Sequence, residues 1–287
     1  MGREIWLLIG HGSRDREGND EFAAMVDALR KRNPGRIIDA AFVEQAEPGM
    51  RAVLESYGGA SPKTVWILPL LLFGAGHSKK EIPEAINQAR ALHPEVDYRY
   101  GTPLGIHPSL IRMIDDRVTK ALRGSTAVRE EETAILLIGR GSSDPDANGD
   151  FYKLGRLYWE AHPYGWVETC FIGATQPDLP AGLRRCIQLG AKRVIAVPYF
   201  IFTGVLIKRI ERILREGRAT TAGPEILIGE YLGLDPLLFA LIEERFEAIG
   251  KGPVLMNCDL CKVQFPELGG NPSGFLPQSQ YRHGERN

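Results

Sequence analysis

The chain has 287 residues, 44% hydrophobic and 25% charged, with a formal net charge of −1. This is ordinary globular composition, sufficient for one large domain or two of usual size. It lacks the basic block or basic–aromatic stripe of a nucleic-acid-binding protein. Its longest apolar stretches, such as residues 65–73, are too short to span a bilayer, and no signal-peptide pattern is present. We therefore expect a cytoplasmic protein with neither nucleic acid nor membrane as a partner.

Short apolar runs alternate with helical patterns from residue 4 to residue 122. The pattern predicts strands at 4–10, 36–44, 64–73 and 97–105, and helices at 18–32, 47–57, 78–92 and 107–122. Such alternation is typical of a parallel sheet with helices on both faces. In open sheets of this kind, ligands bind beyond the carboxyl ends of the strands. We therefore expect His11, Glu44 and the 74–78 loop to lie at one edge of the sheet.

The sequence repeats itself at an offset of 129 residues. The offset aligns four residues near position 10 with their counterparts: Gly10 with Gly139, Gly12 with Gly141, Ser13 with Ser142, and Asp15 with Asp144. An offset of 128 then matches 101–117 to 229–245. Because self-similarity at a fixed offset indicates repeated architecture, we predict two homologous halves. Their expected bounds are 1–123 and 132–249, followed by an extended tail at 250–287.

Three candidate ligand or proton-transfer groups in the first half change together in the second. His11, Glu44 and His77 align with Arg140, Gly173 and Leu206. The surrounding glycines, serine and aspartate persist in the second half. The fold is therefore kept without the three residues, which indicates that they are not scaffold residues. Two histidines and a carboxylate can bind a borderline divalent metal or accept protons. We therefore predict one working site in the first half and a retired copy in the second.

Other motif interpretations fit poorly. The segments "GHGSRD" and "GRGSSD" lack the third glycine of a dinucleotide-binding turn, and no phosphate loop is present. A histidine-nucleophile phosphatase would carry arginine at position 10, which is glycine here. Ser13 does not lie in the G-x-S-x-G motif that presents a nucleophilic serine, so a serine nucleophile is not indicated. Because the serine is kept in both halves, it is better explained as a loop-shaping or helix-capping residue.

The segments "LLIGHGSRD", "FVE…EP", "PLLLFGAGHSKKEIPEAI" and "GTPLGIHPSL" resemble the sirohydrochlorin chelatases. The resemblance covers residues 3–249 and looks like the long, internally duplicated form. It implies two flavodoxin-like α/β domains, each a parallel four-stranded sheet flanked by helices, with a tetrapyrrole-sized cleft between them. It also implies ATP-independent insertion of Co2+ or Fe2+ into sirohydrochlorin without a further cofactor. His11 and His77 would deliver the metal, and Glu44 would assist as ligand or base.

The implied substrate is an octacarboxylate, so nearby polar and basic residues are candidate anchors. They are Ser13, Arg14, Arg16, Lys79 and Lys80. The alternative for the four basic residues is ordinary solvated charge at the starts of helices. Glu81 is a further possible base, ranked below Glu44. A non-catalytic metal or tetrapyrrole carrier would use the same cleft and remains the rival to an enzyme.

The segment "MNCDLC" places Cys258 and Cys261 in a C-x-x-C motif. It resembles the tail of longer cobalt chelatases, where the motif accompanies an iron–sulfur cluster, and this favours cobalt over iron. A cluster normally needs four ligands, so a second chain or other ligands would be required. The alternative is a reduced thiol pair. Cys170 and Cys186 are expected to be buried, and the protein is expected to be a monomer or homodimer.

Overall fold

Strands and helices alternate through both halves in the predicted order. The computed structural model describes residues 3–60, 62–125, 127–218 and 223–251. The first half contains β1 (Glu4–Gly10), α1 (Arg16–Arg32), β2 (Ile37–Phe42), α2 (Met50–Ala60), β3 (Thr64–Pro69), a π-helical turn (His77–Glu81), α3 (Ile82–Leu92), β4 (Asp97–Tyr100) and α4 (Pro108–Ala121). The second half contains a 3-10 turn (Glu130–Glu132), β5 (Thr133–Gly139), α5 (Pro145–Glu160), β6 (Trp166–Phe171), α6 (Leu179–Gln188), β7 (Arg193–Pro198), α7 (Val205–Arg218), β8 (Glu225–Ile228) and α8 (Pro236–Gly250).

Within these ranges the strands form two parallel sheets of four strands each. Their orders are β2-β1-β3-β4 and β6-β5-β7-β8. The register also repeats: Gly10 pairs with Phe42 as Gly139 pairs with Phe171. The predicted fold class, a four-stranded parallel sheet flanked by helices in each half, is confirmed.

The central strands are apolar because both of their faces are covered. Successive side chains of a strand point to opposite faces. In β1, Trp6 and Leu8 pack in one buried cluster, whereas Leu7 and Ile9 pack in another with α2 and α3. The long apolar runs are therefore core strands. No described helix is long and apolar enough to cross a membrane.

Strands β3 and β4 are shorter than the sequence predicts. Strand β3 ends at Pro69 rather than residue 73, and β4 ends at Tyr100 rather than residue 105. Beyond the strand ends, Leu70 is 3% exposed and Leu104 is fully buried, whereas residues 71–73 are half-buried. Leu70 and Leu104 are apolar because they pack in the buried cluster that both halves share. Backbone hydrogen bonds such as that from Leu104 N to Leu71 O, at 2.9 Å, still join the two segments. An apolar run alone does not show where a regular strand ends.

The two halves exchange their last helices. Helix α4 packs against β7 of the second sheet, α8 packs against β3 of the first sheet, and the two helices contact each other. The rings of Trp6 on β1 and Phe246 on α8 stack with centroids 4.4 Å apart and planes 6° apart. Gly101 lies so close to α8 that an added Cβ would be 2.6 Å from the side chain of Ile249. The carboxyl-terminal helix of each repeat thus covers the other repeat's sheet.

Two arginines fix the exchanged helices by equivalent contacts. Arg117 of α4 donates to the carbonyl oxygens of Tyr231 and Leu232 in the second half. Arg245, its counterpart on α8, donates to the carbonyl oxygen of Leu104 in the first half at 2.8 Å. One buried cluster accordingly runs through both halves. Neither half closes its core without a helix from the other.

The stacking of Phe246 on Trp6 makes the exchange testable. We expect Phe246→Ala to lower the free energy of unfolding by about 3–5 kcal/mol, because it deletes a fully buried ring and leaves a cavity. Urea denaturation followed by tryptophan fluorescence measures this loss. The control is Leu157→Ala, which truncates a leucine on α5 that is 41% exposed. It should change the free energy of unfolding by no more than about 0.5 kcal/mol. Equal losses in the two variants would mean that α8 does not hold the first sheet.

Candidate functional site

The turn after β1 lies against the end of β2 because residue 12 is glycine. The amide of Val43 donates to Gly10 O at 2.9 Å, and the amide of Glu44 donates to His11 O at 3.1 Å. Gly12 has φ +88°, and a Cβ there would lie 1.7 Å from the carbonyl oxygen of Glu44. Only glycine satisfies both requirements. This contact holds His11 beside Glu44.

His11, Glu44 and His77, which we call the ligand trio, come together at the carboxyl ends of β1, β2 and β3. One potential ligand atom from each lies within 4.8 Å of those of the other two. The imidazole of His11 lies beside the carboxylate of Glu44, with its Nδ1 atom 3.8 Å from Oε1. The two imidazole rings are 4.7 Å apart at an angle of 88°. A divalent metal with nitrogen and oxygen ligands at about 2.0–2.2 Å would draw the three groups closer together.

The neutral form of His11 is favoured by its surroundings. Burial lowers the pKa of the imidazole, and the charge of Arg140 lowers it further. The Nδ1 atom lies 3.1 Å from the carbonyl oxygen of Gly12, which can only accept, so Nδ1 carries the proton. The Nε2 atom then keeps a lone pair. A ring whose other nitrogen donates to a backbone carbonyl is the usual arrangement of a metal-binding histidine.

His77 begins the π-helical turn and has a carboxylate beside it. Its Nδ1 atom lies 3.0 Å from Oε1 of Glu81, four residues along the chain. The pair does not have hydrogen-bond geometry, since Nδ1 has no hydrogen-bond partner. Glu81 lines the cavity described next, whereas Glu44 lies next to His11 outside that lining. Both acidic residues named from the sequence are therefore close to a histidine.

A cavity of about 790 Å3 lies between the halves, with His11 and His77 in its wall. This volume is within the usual range for small-molecule sites. The turns after β1 and β5 face it from opposite halves. Most other lining side chains are apolar or aromatic: Phe22, Phe42, Leu70, Leu71, Leu72, Phe73, Phe151, Phe171, Tyr199, Phe200, Ile201 and Phe202. The site thus combines a large apolar surface with a few polar groups at one place.

The candidate anchors do not all reach this cavity. Ser13 and Arg14 line it, whereas Arg16 and Lys80 are exposed outside the lining. Arg16 lies 3.7 Å from Asp20 on the same helix. The Ser13 hydroxyl accepts from the amide of Asp15 at 3.0 Å, which shapes the turn into α1.

Lys79 is held by carboxylates of the second half. Its ammonium lies 2.8 Å from both Asp144 and Asp146. The counterpart Lys208 makes the reciprocal pair of contacts with the first half, 2.7 Å to Asp15 and 2.8 Å to Glu17. We call these contacts the paired clamps. Sequence reasoning missed them, although the 129-residue offset relates all the residues involved: Lys79 to Lys208, Asp15 to Asp144, and Glu17 to Asp146.

Arg140 is a second feature that the sequence comparison missed. The comparison treats it as a remnant in a retired copy, but the structure places it in the cavity wall against Nε2 of His11. The same offset carries the signal, because it pairs position 140 with position 11 in two related halves. Equivalent turns that face one cleft bring these two positions together.

The two cysteines that the structure describes are not among the residues that line the cavity. Cys170 and Cys186 are buried and free in the core of the second half. Burial raises the pKa of both thiols, that of Cys186 to about 12. Cys258 and Cys261, with the 250–287 tail that carries them, lie beyond the described residues except for its first two positions. Among described residues the ligand trio is the one group of three potential metal ligands.

Comparisons with known proteins agree across both halves. The CbiX family model matches residues 6–121 and again residues 134–249. A sirohydrochlorin cobaltochelatase of Priestia megaterium is 38% identical over 90% of this chain and 84% of its own length, and a sirohydrochlorin ferrochelatase of that organism is 30% identical over 85% and 89%. The solved structure of SirB from Bacillus subtilis with Fe3+ has a TM-score of 0.74 and 28% identity, covering 86% of this chain and 95% of that one. The chain therefore belongs to the CbiX family, the sirohydrochlorin chelatases.

Proposed function

We propose that this chain, an enzyme of the chelatase family, inserts a divalent metal into sirohydrochlorin without ATP. The observation that carries the proposal is the position of the ligand trio beside an apolar cavity of about 790 Å3 between the halves. The first half, residues 1–123, supplies the trio. The second half, residues 132–249, supplies the opposite wall.

Insertion requires the cation to lose water and the macrocycle to lose two pyrrole N–H protons. His11 and His77 hold the incoming Co2+ or Fe2+ through imidazole nitrogens and deliver it to the ring nitrogens. The lowered pKa of His11 keeps its Nε2 lone pair available near pH 7. Glu44 completes the ligand set and accepts one of the two pyrrole protons as the metal enters the ring, and the imidazole nitrogen that the metal has left accepts the other. Its closeness to both histidines supports this role.

The cavity walls suit a large flat macrocycle. Aromatic side chains from both halves, among them Phe22, Phe73 and Phe151, provide apolar surface for its faces. Arg14 and Ser13 line the cavity and are the candidate contacts for the substrate carboxylates. Arg16 and Lys80 could meet only carboxylates that extend beyond the lining, and Lys79 already has two acidic partners. An iron–sulfur cluster at Cys258 and Cys261, the less favoured of the two alternatives for this motif, has no role in this mechanism.

The first test removes each histidine of the trio. We expect His11→Ala and His77→Ala to lower the insertion rate to near the uncatalysed rate, because each deletes a metal-donating nitrogen. The change in the visible spectrum of sirohydrochlorin, mixed anaerobically with Co2+ or Fe2+, measures insertion. His93→Ala, which removes a histidine outside the cavity lining, is the control and should retain the rate. No acceleration by the unsubstituted protein would reject the enzyme.

The role of Glu44 separates an enzyme from a carrier. A carrier would need the histidines but no proton acceptor. We expect Glu44→Gln to lower the insertion rate by about 100-fold, the usual contribution of general base catalysis, with a smaller effect on Co2+ affinity measured by calorimetry. Glu81→Gln is the matched control, since Glu81 also lies beside a histidine. A larger loss in Glu81→Gln would assign proton transfer to Glu81, and unchanged insertion rates in both variants would mean that neither carboxylate is the proton acceptor.

We propose Co2+ as the preferred metal. The higher identity to the cobalt-inserting relative supports this choice, as does the C-x-x-C motif in the tail. We expect faster insertion of Co2+ than of Fe2+ when both are supplied at equal concentration under anaerobic conditions. Product identification by absorbance and mass spectrometry measures the ratio. Faster incorporation of Fe2+ would reverse the assignment without affecting the proposed reaction.

A further inference from the structure

Arg140 stands opposite His11 in the fold. His11 follows β1 and Arg140 follows β5, and the same 129-residue offset relates both the strands and the residues. Both side chains line the cavity between the halves. The second half therefore places a permanent positive charge where the first half has its metal-donating histidine.

The guanidinium of Arg140 donates a hydrogen bond to the imidazole nitrogen that a metal ion would bind. Its Nη1 atom contacts Nε2 of His11 at 2.5 Å. Because Nδ1 of His11 is next to the carbonyl oxygen of Gly12, Nε2 is the atom with the lone pair and accepts from Arg140. A metal ion bound about 2.1 Å from Nε2 would occupy the line of this hydrogen bond. The ion and the guanidinium also repel each other at such short distance. The two cannot share His11.

The charge of Arg140 has no acidic partner in the part of the chain that the structure describes. No described carboxylate lies within 4.0 Å of its guanidinium. The paired clamps differ in this respect, since Lys79 and Lys208 each contact two carboxylates. A guanidinium that faces a largely apolar cavity with only a neutral imidazole as partner retains its capacity for an anion. A carboxylate offers it a stronger, bidentate interaction.

We infer that Arg140 blocks Nε2 of His11 in the empty protein and releases it when a carboxylate of the tetrapyrrole binds the guanidinium. This inference rests on the proposed function for the identity of the anion. Arg140 is then a positioning residue that acts through His11. It couples the metal site to occupation of the cavity, so that the tetrapyrrole binds before the metal. In the second half, the position of the metal-binding histidine is thus taken by an arginine that regulates access to His11.

Coupling of this kind is reciprocal, and it can be measured without insertion. We expect Arg140→Gln to bind Co2+ alone about tenfold more tightly than the unsubstituted protein, since a charge-assisted hydrogen bond no longer competes for Nε2. Calorimetry with Co2+ and no tetrapyrrole gives the affinity. The same variant should bind metal-free sirohydrochlorin about tenfold more weakly, as followed by tryptophan fluorescence in the presence of a chelator.

Two further variants define the outcome. Arg14→Gln removes another arginine from the cavity lining without touching His11, so its Co2+ affinity should stay within about twofold of the original. Arg140→Lys keeps the charge but loses the planar guanidinium. Its affinities for Co2+ and for metal-free sirohydrochlorin should both lie between those of Arg140→Gln and those of the unsubstituted protein. Thermal unfolding checks that each variant is folded.

The inference is overturned if Arg140→Gln leaves Co2+ affinity unchanged or lowers it. It is also overturned if Arg14→Gln raises the affinity equally, because general charge removal would then explain the gain. If the unsubstituted protein inserts metal but Arg140→Gln binds Co2+ with unchanged affinity, the proposed function stands and the coupling is rejected. If Arg140→Gln binds Co2+ more tightly but the unsubstituted protein has no insertion activity, the block on His11 is supported and the proposed reaction is rejected.

Discussion

The close approach of the β1–α1 turn to the end of β2 is the contact on which the site depends. With any side chain at position 12, the turn would be pushed away from Glu44, and His11 would no longer lie beside it. Gly141 repeats the approach in the second half, where a Cβ would lie 2.2 Å from the carbonyl oxygen of Gly173. The duplicated chain has therefore preserved the backbone that presents a residue to the cleft while changing the residue presented. His11 and Arg140 are the two results.

Much of the fold follows from the sequence because the parallel sheets leave a strong pattern. Strand β1 begins and ends where the apolar run does, and the repeat at 129 residues predicts the second sheet from the first. The grouping of His11, Glu44 and His77 follows from a general rule, that parallel strands end at the same edge. These inferences need only local pattern and topology.

The remaining features depend on contacts between distant residues. The apolar face of α8 indicates that the helix is buried, but no periodicity says that it covers the sheet of the other half. The same limit explains why the predicted β3 is too long, since Leu70 is buried in the cluster that both halves share. Lys79 looks like a solvated or ligand-binding lysine until Asp144 and Asp146 are placed beside it. Arg140 becomes part of the site only when the two halves face each other.

The helix exchange makes the repeat in the sequence different from the unit that folds around each sheet. The first sheet is covered by α8, which is encoded more than a hundred residues after β4, and the second by α4, which precedes β5. A boundary drawn in the 123–133 linker therefore separates the two sequence repeats, but it also separates each sheet from the helix that covers it. Recombination between relatives at that boundary would join each sheet to a helix shaped for a different partner. Within this architecture the two halves can differ at the cleft, as His11 and Arg140 do, while α4 and α8 keep the two sheets joined.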